Sequence, residues 1–388
     1  MYSMNFSRVL KSSTGIIFLG CTLLFSCKQN QPSEIRIGVL ATLKGDPQTV
    51  EGSGKTTINA VKLAAKEINK SGGFDVGGKK YIITLYIEDD CNNSDGAVLA
   101  ARKLAARDNV VALIGPQYSK NAIPVAELAE TLKIPMISPM STNPKTTAGK
   151  KYVFRMGYVD SFQGKVLAKF AFETLKAAEA AVLYNISDDY NRGLAETFKE
   201  AFIQAGGKIA AYESYTTDAA DYRNQFRRIR DLQPDVLLLP NLTADIIPQV
   251  EQARGLGITA TILFGDGLGV SQVTDKTLLE NSFQCLHWHP GINNPKSLEF
   301  VKAYKKAYGK TPNNTAALSY DALRLLVQAM QIQGNTDPLS IQKGITTIED
   351  FEGVSGVVSF KGTNDPLKSA VIIQIKNGAG TFYKKIDP

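Results

Sequence analysis

From residue 34 onward, short apolar runs rich in β-branched residues alternate with longer segments whose apolar residues recur every three or four positions. The short runs are typical of strands, and the periodic segments are typical of amphipathic helices. The first series predicts strands over residues 35–40, 81–88, 110–114 and 135–137, alternating with helices over residues 57–69, 94–106 and 121–132.

A second series follows near residue 161. It predicts helices over residues 161–175, 192–205, 221–232 and 244–254, and strands over residues 180–184, 208–215, 236–239 and 261–264. Strands that alternate with helices of this length form parallel sheets covered by helices on both faces. We therefore expect an α/β fold of two similar lobes, each a parallel-type sheet flanked by helices.

The last hundred residues break the alternation. They predict helices over residues 296–308 and 316–332, followed by β-like runs over residues 357–360, 371–375 and 381–386. Because these elements have to pack on the two lobes, we expect a multi-strand hinge, with lobe 1 formed by residues 34–158 and 290–368 and lobe 2 by residues 159–289 and 369–388. Ligands of open α/β sheets bind at the carboxyl ends of the strands, which here border the cleft between the lobes.

The first 33 residues have the pattern of an export signal. Arg8 and Lys11 precede an uncharged apolar run over residues 15–25, which is too short to span a bilayer of about 30 Å and suits a signal peptide cleaved after residue 26. Residues 24–27, Leu-Phe-Ser-Cys, resemble a bacterial lipobox. The resemblance implies a lipid on Cys27, a polar tether over residues 27–33, and a location in the periplasm or at the cell surface, anchored to a bacterial membrane. A plain secretory signal is the alternative.

The composition argues against several classes of function. The 388 residues include 44 Lys and Arg, 37 Asp and Glu, 2 His and 4 Cys. The positive charges are scattered rather than gathered into a patch, which argues against nucleic acid as a partner. So few His and Cys leave little material for metal or haem sites, and we predict no metal and no cofactor. Whether Cys91 and Cys285 are paired or free stays open.

Three stretches only partly match known chemical motifs. Residues 52–56, Gly-Ser-Gly-Lys-Thr, resemble a phosphate-binding loop, but Thr49 stands where that motif needs a glycine, and we interpret them as a flexible loop at the cleft edge. His287 and His289 lack a third ligand nearby, so a structural or cleft-lining role is expected. No Gly-x-Ser-x-Gly motif occurs, and we predict that the protein is not an enzyme.

Polar residues follow successive strands and mark a candidate site. Ser119 follows one strand and leads into a helix, and a hydroxyl beside the first amides of a helix favours a carboxylate. Ser141 and Thr142 follow the next strand. In lobe 2, Asp266 can supply the negative charge that an ammonium group needs, and Tyr190 adds an aromatic ring at the same edge. This arrangement predicts a site for a small zwitterion.

Short runs that match the sequence pattern of a known protein family also occur along nearly the whole mature chain. They are residues 37–39 (Ile-Gly-Val), 67–69 (Glu-Ile-Asn), 72–73 (Gly-Gly), 111–115 (Val-Ala-Leu-Ile-Gly), 137–139 (Ile-Ser-Pro), 154–156 (Phe-Arg-Met), 160–164 (Asp-Ser-Phe-Gln-Gly) and 351–356 (Phe-Glu-Gly-Val-Ser-Gly). In this order they resemble the branched-chain amino acid binding proteins of bacterial ABC transporters, the leucine/isoleucine/valine type of periplasmic binding protein fold type I.

The resemblance implies roles for individual residues. It implies that Ser119 and Thr142 bind the α-carboxylate, that Met140 makes a backbone contact, that Tyr190 is the aromatic cleft residue and that Asp266 binds the α-ammonium group. The neighbouring Tyr118 and Ser141 complete the predicted site.

The departures from the family concern the side-chain pocket. Near Ser53, this chain lacks the front-loop aromatic residue that is common in the amino acid binders. Asn241 and Leu242 stand where the family has another Tyr. Tyr118 occupies the position of the cysteine that pairs with the equivalent of Cys91 in some members. The resemblance therefore does not name the ligand.

These inferences define a functional hypothesis. We expect a monomeric, lipid-anchored solute-binding protein of an ABC importer, which captures an amino acid with a branched or hydrophobic side chain by hinge closure and delivers it to a membrane permease. Two alternatives remain: the same fold binding an aromatic acid, amide or urea-like solute, and a sensory ligand-binding domain.

Overall fold

Two separate β-sheets, each covered by helices, organise the computed structural model, which describes residues 32–388. The predicted signal peptide and Cys27 lie outside the described residues. The first sheet has the strand order β2-β3-β1-β4-β5-β6, and all neighbours are parallel except β2 and β3. Its strands are β1 (Ser33–Ala41), β2 (Phe74–Val76), β3 (Lys79–Asp89), β4 (Ala112–Ile114), β5 (Met136–Ser138) and β6 (Val153–Arg155).

The second sheet has the order β15-β14-β11-β10-β9-β7-β8, with two antiparallel strands at one edge of a parallel core. Its strands are β7 (Glu179–Asn185), β8 (Lys208–Tyr215), β9 (Val236–Leu239), β10 (Thr261–Phe264), β11 (Ser282–Leu286), β14 (Ala370–Lys376) and β15 (Ala379–Ile386). A small hairpin of β12 (Phe351–Gly353) and β13 (Gly356–Val358) stands apart from both sheets.

Eleven α-helices occur among residues 32–388. They are α1 (Pro47–Thr49), α2 (Lys55–Lys70), α3 (Ser94–Ala106), α4 (Ser119–Leu132), α5 (Asp160–Lys169), α6 (Asp189–Gln204), α7 (Arg223–Leu232), α8 (Thr243–Gly255), α9 (Pro295–Tyr308), α10 (Asn314–Gln333) and α11 (Pro338–Thr347). Short π-helical segments cover Val50–Gly54 and Phe170–Thr174. None of these helices is long and apolar enough to cross a membrane.

Burial explains why these residues form these elements. Strands β4 and β9 are apolar throughout and buried on both faces, as central strands of helix-covered parallel sheets are. Helix α10 is buried on almost all sides and packs with α9, α11 and α2 in the core of the first sheet. We therefore call the first sheet with α1–α4 and α9–α11 lobe 1, and the second sheet with α5–α8 lobe 2.

The chain passes between the lobes three times, after β6, after β11 and before β14. The predicted α/β fold of two lobes joined by a multi-strand hinge is thus confirmed. The lobes also touch across the cleft, because the Asn143 side-chain amide donates to the backbone oxygen of Asp189, 2.7 Å away.

The prediction of a flexible loop over residues 52–56 was wrong. The segment is helical and runs from α1 through the π-helical turn into α2. Asp46 caps its start by accepting the Thr49 amide at 2.7 Å, and a Cβ at Gly54 would overlap the carbonyl oxygen of Thr42. The glycine therefore allows close packing rather than flexibility. The sequence pattern also missed β2, β6, β11, β12 and α11. The four strands are only three to five residues long, whereas α11 has ten residues.

Candidate ligand-binding cleft

A cavity of about 540 Å³ lies between the lobes, next to the carboxyl ends of parallel strands. This volume is typical of small-molecule binding sites. From lobe 1 its wall includes Ser53, Gln117, Tyr118, Ser119, Met140 and Asn314. From lobe 2 it includes Asp188, Tyr190, Leu242, Asp245 and Asp266.

Ser119 forms the anion-favouring corner of this cavity. It is the first residue of α4, so its hydroxyl lies at the positive end of the helix dipole. The Ser119 Oγ is 2.9 Å from the Ser141 Oγ, which in turn is 2.7 Å from the Thr146 Oγ1. Ser141 itself is buried and does not line the cavity. This chain of hydroxyls therefore orients Ser119 from behind.

The turn between β4 and α4 depends on one glycine. Gly115 has a φ of +92°, and a Cβ there would overlap the carbonyl oxygen of Leu40 at the end of β1. Close passage past β1 brings Tyr118 to the cleft edge, where its hydroxyl lies beside that of Ser53. Burial raises the pKa of Tyr118 to about 12. Tyr118 thereby links the start of α4 to the segment that precedes α2.

Thr142 lies behind the cavity wall. It is fully buried, is absent from the cavity lining, and its hydroxyl lies beside the buried carboxyl of Asp160. Burial raises the pKa of Asp160 to about 8, against the opposing effect of the Thr142 hydroxyl. The backbone of the two residues is also joined, because the Asp160 amide donates to the Thr142 carbonyl at 2.9 Å.

Arg155 anchors the loop that follows β5. Its fully buried guanidinium donates to the carbonyl oxygens of Ser141 and Asn143 at 2.7 and 3.0 Å, and to the Thr147 hydroxyl at 2.6 Å. It also pairs with Asp365, 2.6 Å away, on the segment that leads to the third crossing. The loop that presents Met140 to the cavity is therefore tied to the hinge.

Asp266 is held from beneath by two neutral donors. Its carboxylate accepts from the Gln163 amide at 3.0 Å and lies 3.1 Å from the His287 Nε2. The His287 Nδ1 accepts the Tyr158 amide at 3.4 Å, so the neutral ring carries its proton on Nε2 and donates it to Asp266. Burial lowers the pKa of His287. Within the part of the chain that the structure describes, Asp266 consequently presents a supported carboxylate to the cavity without a cationic partner.

Tyr190 stands next to this carboxylate. It lies in the first turn of α6, whose amides at Tyr190 and Asn191 are capped by Asp188 at 3.0 Å. A Cβ at Gly265 would overlap the Tyr190 hydroxyl, so the ring packs directly on the loop after β10. Burial, and after it the nearby charge of Asp266, raises the pKa of Tyr190 well above its usual range.

The remaining His and Cys residues take structural positions. His289 lines the cavity, while His287 lies beneath it, and residues 32–388 contain no group of side chains that could hold a metal ion. Cys91 is exposed and Cys285 is buried next to Tyr158, and neither forms a disulfide within residues 32–388.

The structure thus brings five of the seven predicted site residues to one cavity: Tyr118, Ser119, Met140, Tyr190 and Asp266. Ser141 and Thr142 lie just behind them. Sequence reasoning gave no role to Gln117, Arg155, Asp160, Gln163 and Asn314. Residues 155, 160 and 163 lie inside runs that carry the family resemblance, and residue 117 lies between one such run and Ser119. The position of Asn314 depends on long-range packing alone.

Comparison with known proteins identifies the class. Residues 34–380 match the family model described as "Periplasmic binding protein", and the chain belongs to this family. An amino acid binding protein of Pseudomonas aeruginosa is 28% identical over 333 residues, which cover 84% of this chain and 85% of that protein. The family resemblance read from the sequence is thereby confirmed.

Solved structures agree. The leucine-binding protein LivK of Thermotoga maritima has a TM-score of 0.84 at 30% identity, covering 91% of this chain and 99% of its own. LivJ of Streptococcus pneumoniae, a branched-chain amino acid transporter substrate-binding protein in complex with isoleucine, has a TM-score of 0.83 at 27% identity, covering 92% and 100%. A benzoate-bound solute-binding protein of an ABC transporter from R. palustris shares the fold, with a TM-score of 0.80 at 17% identity over 92% and 97%. The matched relatives are binding proteins, which agrees with the expectation of a non-enzyme.

Proposed function

We propose that this protein is the extracytoplasmic binding component of an ABC importer and that it captures a small α-amino acid between its lobes. The observation that carries the proposal is the placement of Asp266 and Ser119 on opposite walls of one cavity. A zwitterion needs an anion-favouring and a cation-favouring contact a short distance apart, and these two residues offer them from different lobes.

In the proposed complex the ligand carboxylate accepts hydrogen bonds from the Ser119 hydroxyl and the first amides of α4. The ammonium group donates to Asp266, and the Tyr190 ring packs beside it. Ser141 acts through Ser119, and Thr142 acts through its contact with Asp160, because neither lines the cavity. A ligand that contacts both lobes favours the closed state over the open one, since it shifts the equilibrium by its difference in affinity for the two states.

Delivery to a membrane permease and anchoring through Cys27 are part of the same proposal. The names of the relatives support the first, and the lipobox-like residues 24–27 support the second. Expression of Cys27→Ser beside the wild type tests the anchor. We expect the wild type in the membrane fraction with incorporated labelled palmitate, and the variant in the soluble fraction without label. Equal labelling of both proteins would contradict the assignment.

Calorimetric titration tests the ligand. The protein is unfolded and refolded to remove bound solute, and then titrated with the twenty amino acids, benzoate and acetamide. We expect saturable binding of at least one α-amino acid, with branched-chain amino acids tested first because of the relatives. Binding of benzoate or acetamide with no response to any amino acid would overturn the proposal.

That second outcome has structural support of its own. Tyr118, Tyr190 and Trp288 all line the cavity, so an aromatic acid would find rings to pack against. In that case Asp266 would accept a hydrogen bond from a hydroxyl or amide of the solute instead of pairing with an ammonium group.

A further inference from the structure

Two side-chain amides on the lobe 1 wall have an unusual environment. Gln117 lies two residues before Ser119 and is 3% exposed, and Asn314 is the first residue of α10 and is 9% exposed. Both line the cavity. They lie on the same wall as Ser119, because Gln117 precedes it by two residues and the Asn314 amide contacts the sulfur of Met140, which also lines the cavity.

These amides are not satisfied by the protein. Among the described residues, neither the Oε1 nor the Nε2 of Gln117 has a hydrogen-bond partner, and the Oδ1 of Asn314 has none. The Asn314 Nδ2 donates only to the thioether of Met140 at 3.6 Å, and a thioether is a weak acceptor. Buried polar groups in proteins are nearly always hydrogen-bonded, and an unsatisfied one in a cavity wall calls for an explanation.

An aliphatic ligand side chain would make this situation worse. It would fill the space beside the amides with groups that neither donate nor accept, and would leave both amides buried without partners. A carboxamide has the matching inventory, since its NH2 can donate to the Asn314 Oδ1 and the Gln117 Oε1 while its carbonyl oxygen accepts from the Gln117 Nε2.

We propose that Gln117 and Asn314 form a polar subsite for the ligand's side chain, and that the amino acid captured carries a carboxamide. This inference rests on the proposed function, because it assumes a ligand held at Ser119 and Asp266. It makes asparagine or glutamine the preferred ligand, in place of the branched-chain residues named for the relatives.

Competitive calorimetry with the stripped protein tests the inference. The probes are L-glutamine, L-asparagine, L-leucine and acetamide, and the proteins are the wild type, Gln117→Leu, Asn314→Leu and the control Gln204→Leu, which changes an exposed glutamine on α6 outside the cavity. We expect one carboxamide amino acid to bind the wild type at least about tenfold more tightly than leucine, because a site built to hydrogen-bond a group rejects analogues that lack it.

The variants sharpen the test. Gln117→Leu and Asn314→Leu should each reduce carboxamide binding by about tenfold and leave leucine binding equal or tighter, whereas Gln204→Leu should change neither. Tighter binding of leucine by the wild type would overturn the inference and leave the proposed function intact. So would a Gln117→Leu variant that folds but loses affinity equally for all amino acids. If no amino acid binds the wild type, the proposed function fails and the inference fails with it.

Discussion

The two walls of the cavity differ in how they meet a ligand. Around Ser119, lobe 1 offers uncharged groups, namely hydroxyls, amides and the start of α4. Lobe 2 offers the carboxylate of Asp266 with the Tyr190 ring beside it. The charged side of the site is thus backed by a buried network, while the uncharged side is backed by a chain of hydroxyls. The difference suggests a division of work in which each lobe binds one end of a zwitterion, so that only a ligand with both ends closes the hinge.

The largest effect is expected on the lobe 2 wall. Asp266→Asn removes the charge that we assign to the ammonium group, and should weaken amino acid binding by about 2 to 5 kcal/mol. Titration calorimetry measures the loss. The matched control Asp218→Asn, which changes an exposed residue outside the cavity, should bind as the wild type does. An unchanged affinity in Asp266→Asn would remove the ammonium assignment.

The lobe 1 wall should respond less. Ser119→Ala removes one neutral hydroxyl that donates to a charged carboxylate, and such hydrogen bonds contribute about 1.5 to 3 kcal/mol. The same titration should show a smaller loss than Asp266→Asn does, because the amides at the start of α4 remain. Ser141→Ala, which frees Ser119 from its partner without touching the cavity, should lie between Ser119→Ala and the wild type. A larger loss in Ser141→Ala than in Ser119→Ala would contradict the arrangement.

Asp160 lies behind the cavity, where the start of α5 contacts Thr142 of lobe 1, and provides a pH test. Its folded pKa is about 8, whereas an unfolded aspartate titrates near 3.9, so between these values the folded state binds more protons than the unfolded state. The free energy of unfolding should therefore fall as pH rises from about 4 through 8. Asp160→Asn lacks this loss, so at pH 9 it should be more stable than the wild type, by up to about 5 kcal/mol for a shift of this size. The difference should shrink towards pH 4 in denaturant titrations. A constant difference across this range would show that Asp160 does not titrate as described.

The smallest effect is expected from the residues that support Asp266 beneath the lobe 2 wall of the cavity. His287→Gln removes a donor that orients Asp266 while Gln163 still holds it, and should cost about 1 kcal/mol of ligand affinity. Burial lowers the pKa of His287, so the unfolded state binds the proton more readily, and wild-type stability should fall as pH drops below about 6.5. The variant should lose less stability over the same interval in thermal melts. Equal acid sensitivity of both proteins would exclude titration of His287 as the cause.

Local patterns made much of the fold predictable. The long strands β1 and β3 are runs rich in β-branched residues, the helices α2 and α3 have apolar residues at helical spacing, and each appears within a few residues of its predicted position. Strands β2 and β6 have three residues each, too few for a period to be read. They exist because neighbouring strands β3 and β5 supply backbone partners, and this pairing depends on the assembled sheet.

The candidate site also contains residues that the local sequence pattern predicts and residues that only long-range packing places there. Ser119, Tyr190 and Asp266 could be named because a polar residue just after a strand lies at the carboxyl edge of its sheet, and the chain order places it there. Thr142 has the same sequence signature but is buried beside Asp160, and Asn314 has no such signature but reaches the cavity through the packing of α10.

By itself, therefore, the sequence determined the alternation of strands and helices, the two-lobed class and the loops that carry the charged contacts, because these follow from the spacing of residues near one another in the chain. Only the tertiary structure decided which of those residues open into the cavity and which lie behind it. It also decided how Gln163, His287 and Arg155 support them, and which amides are left unsatisfied. Burial and hydrogen-bond partners come from segments far apart in sequence, and no local period encodes them.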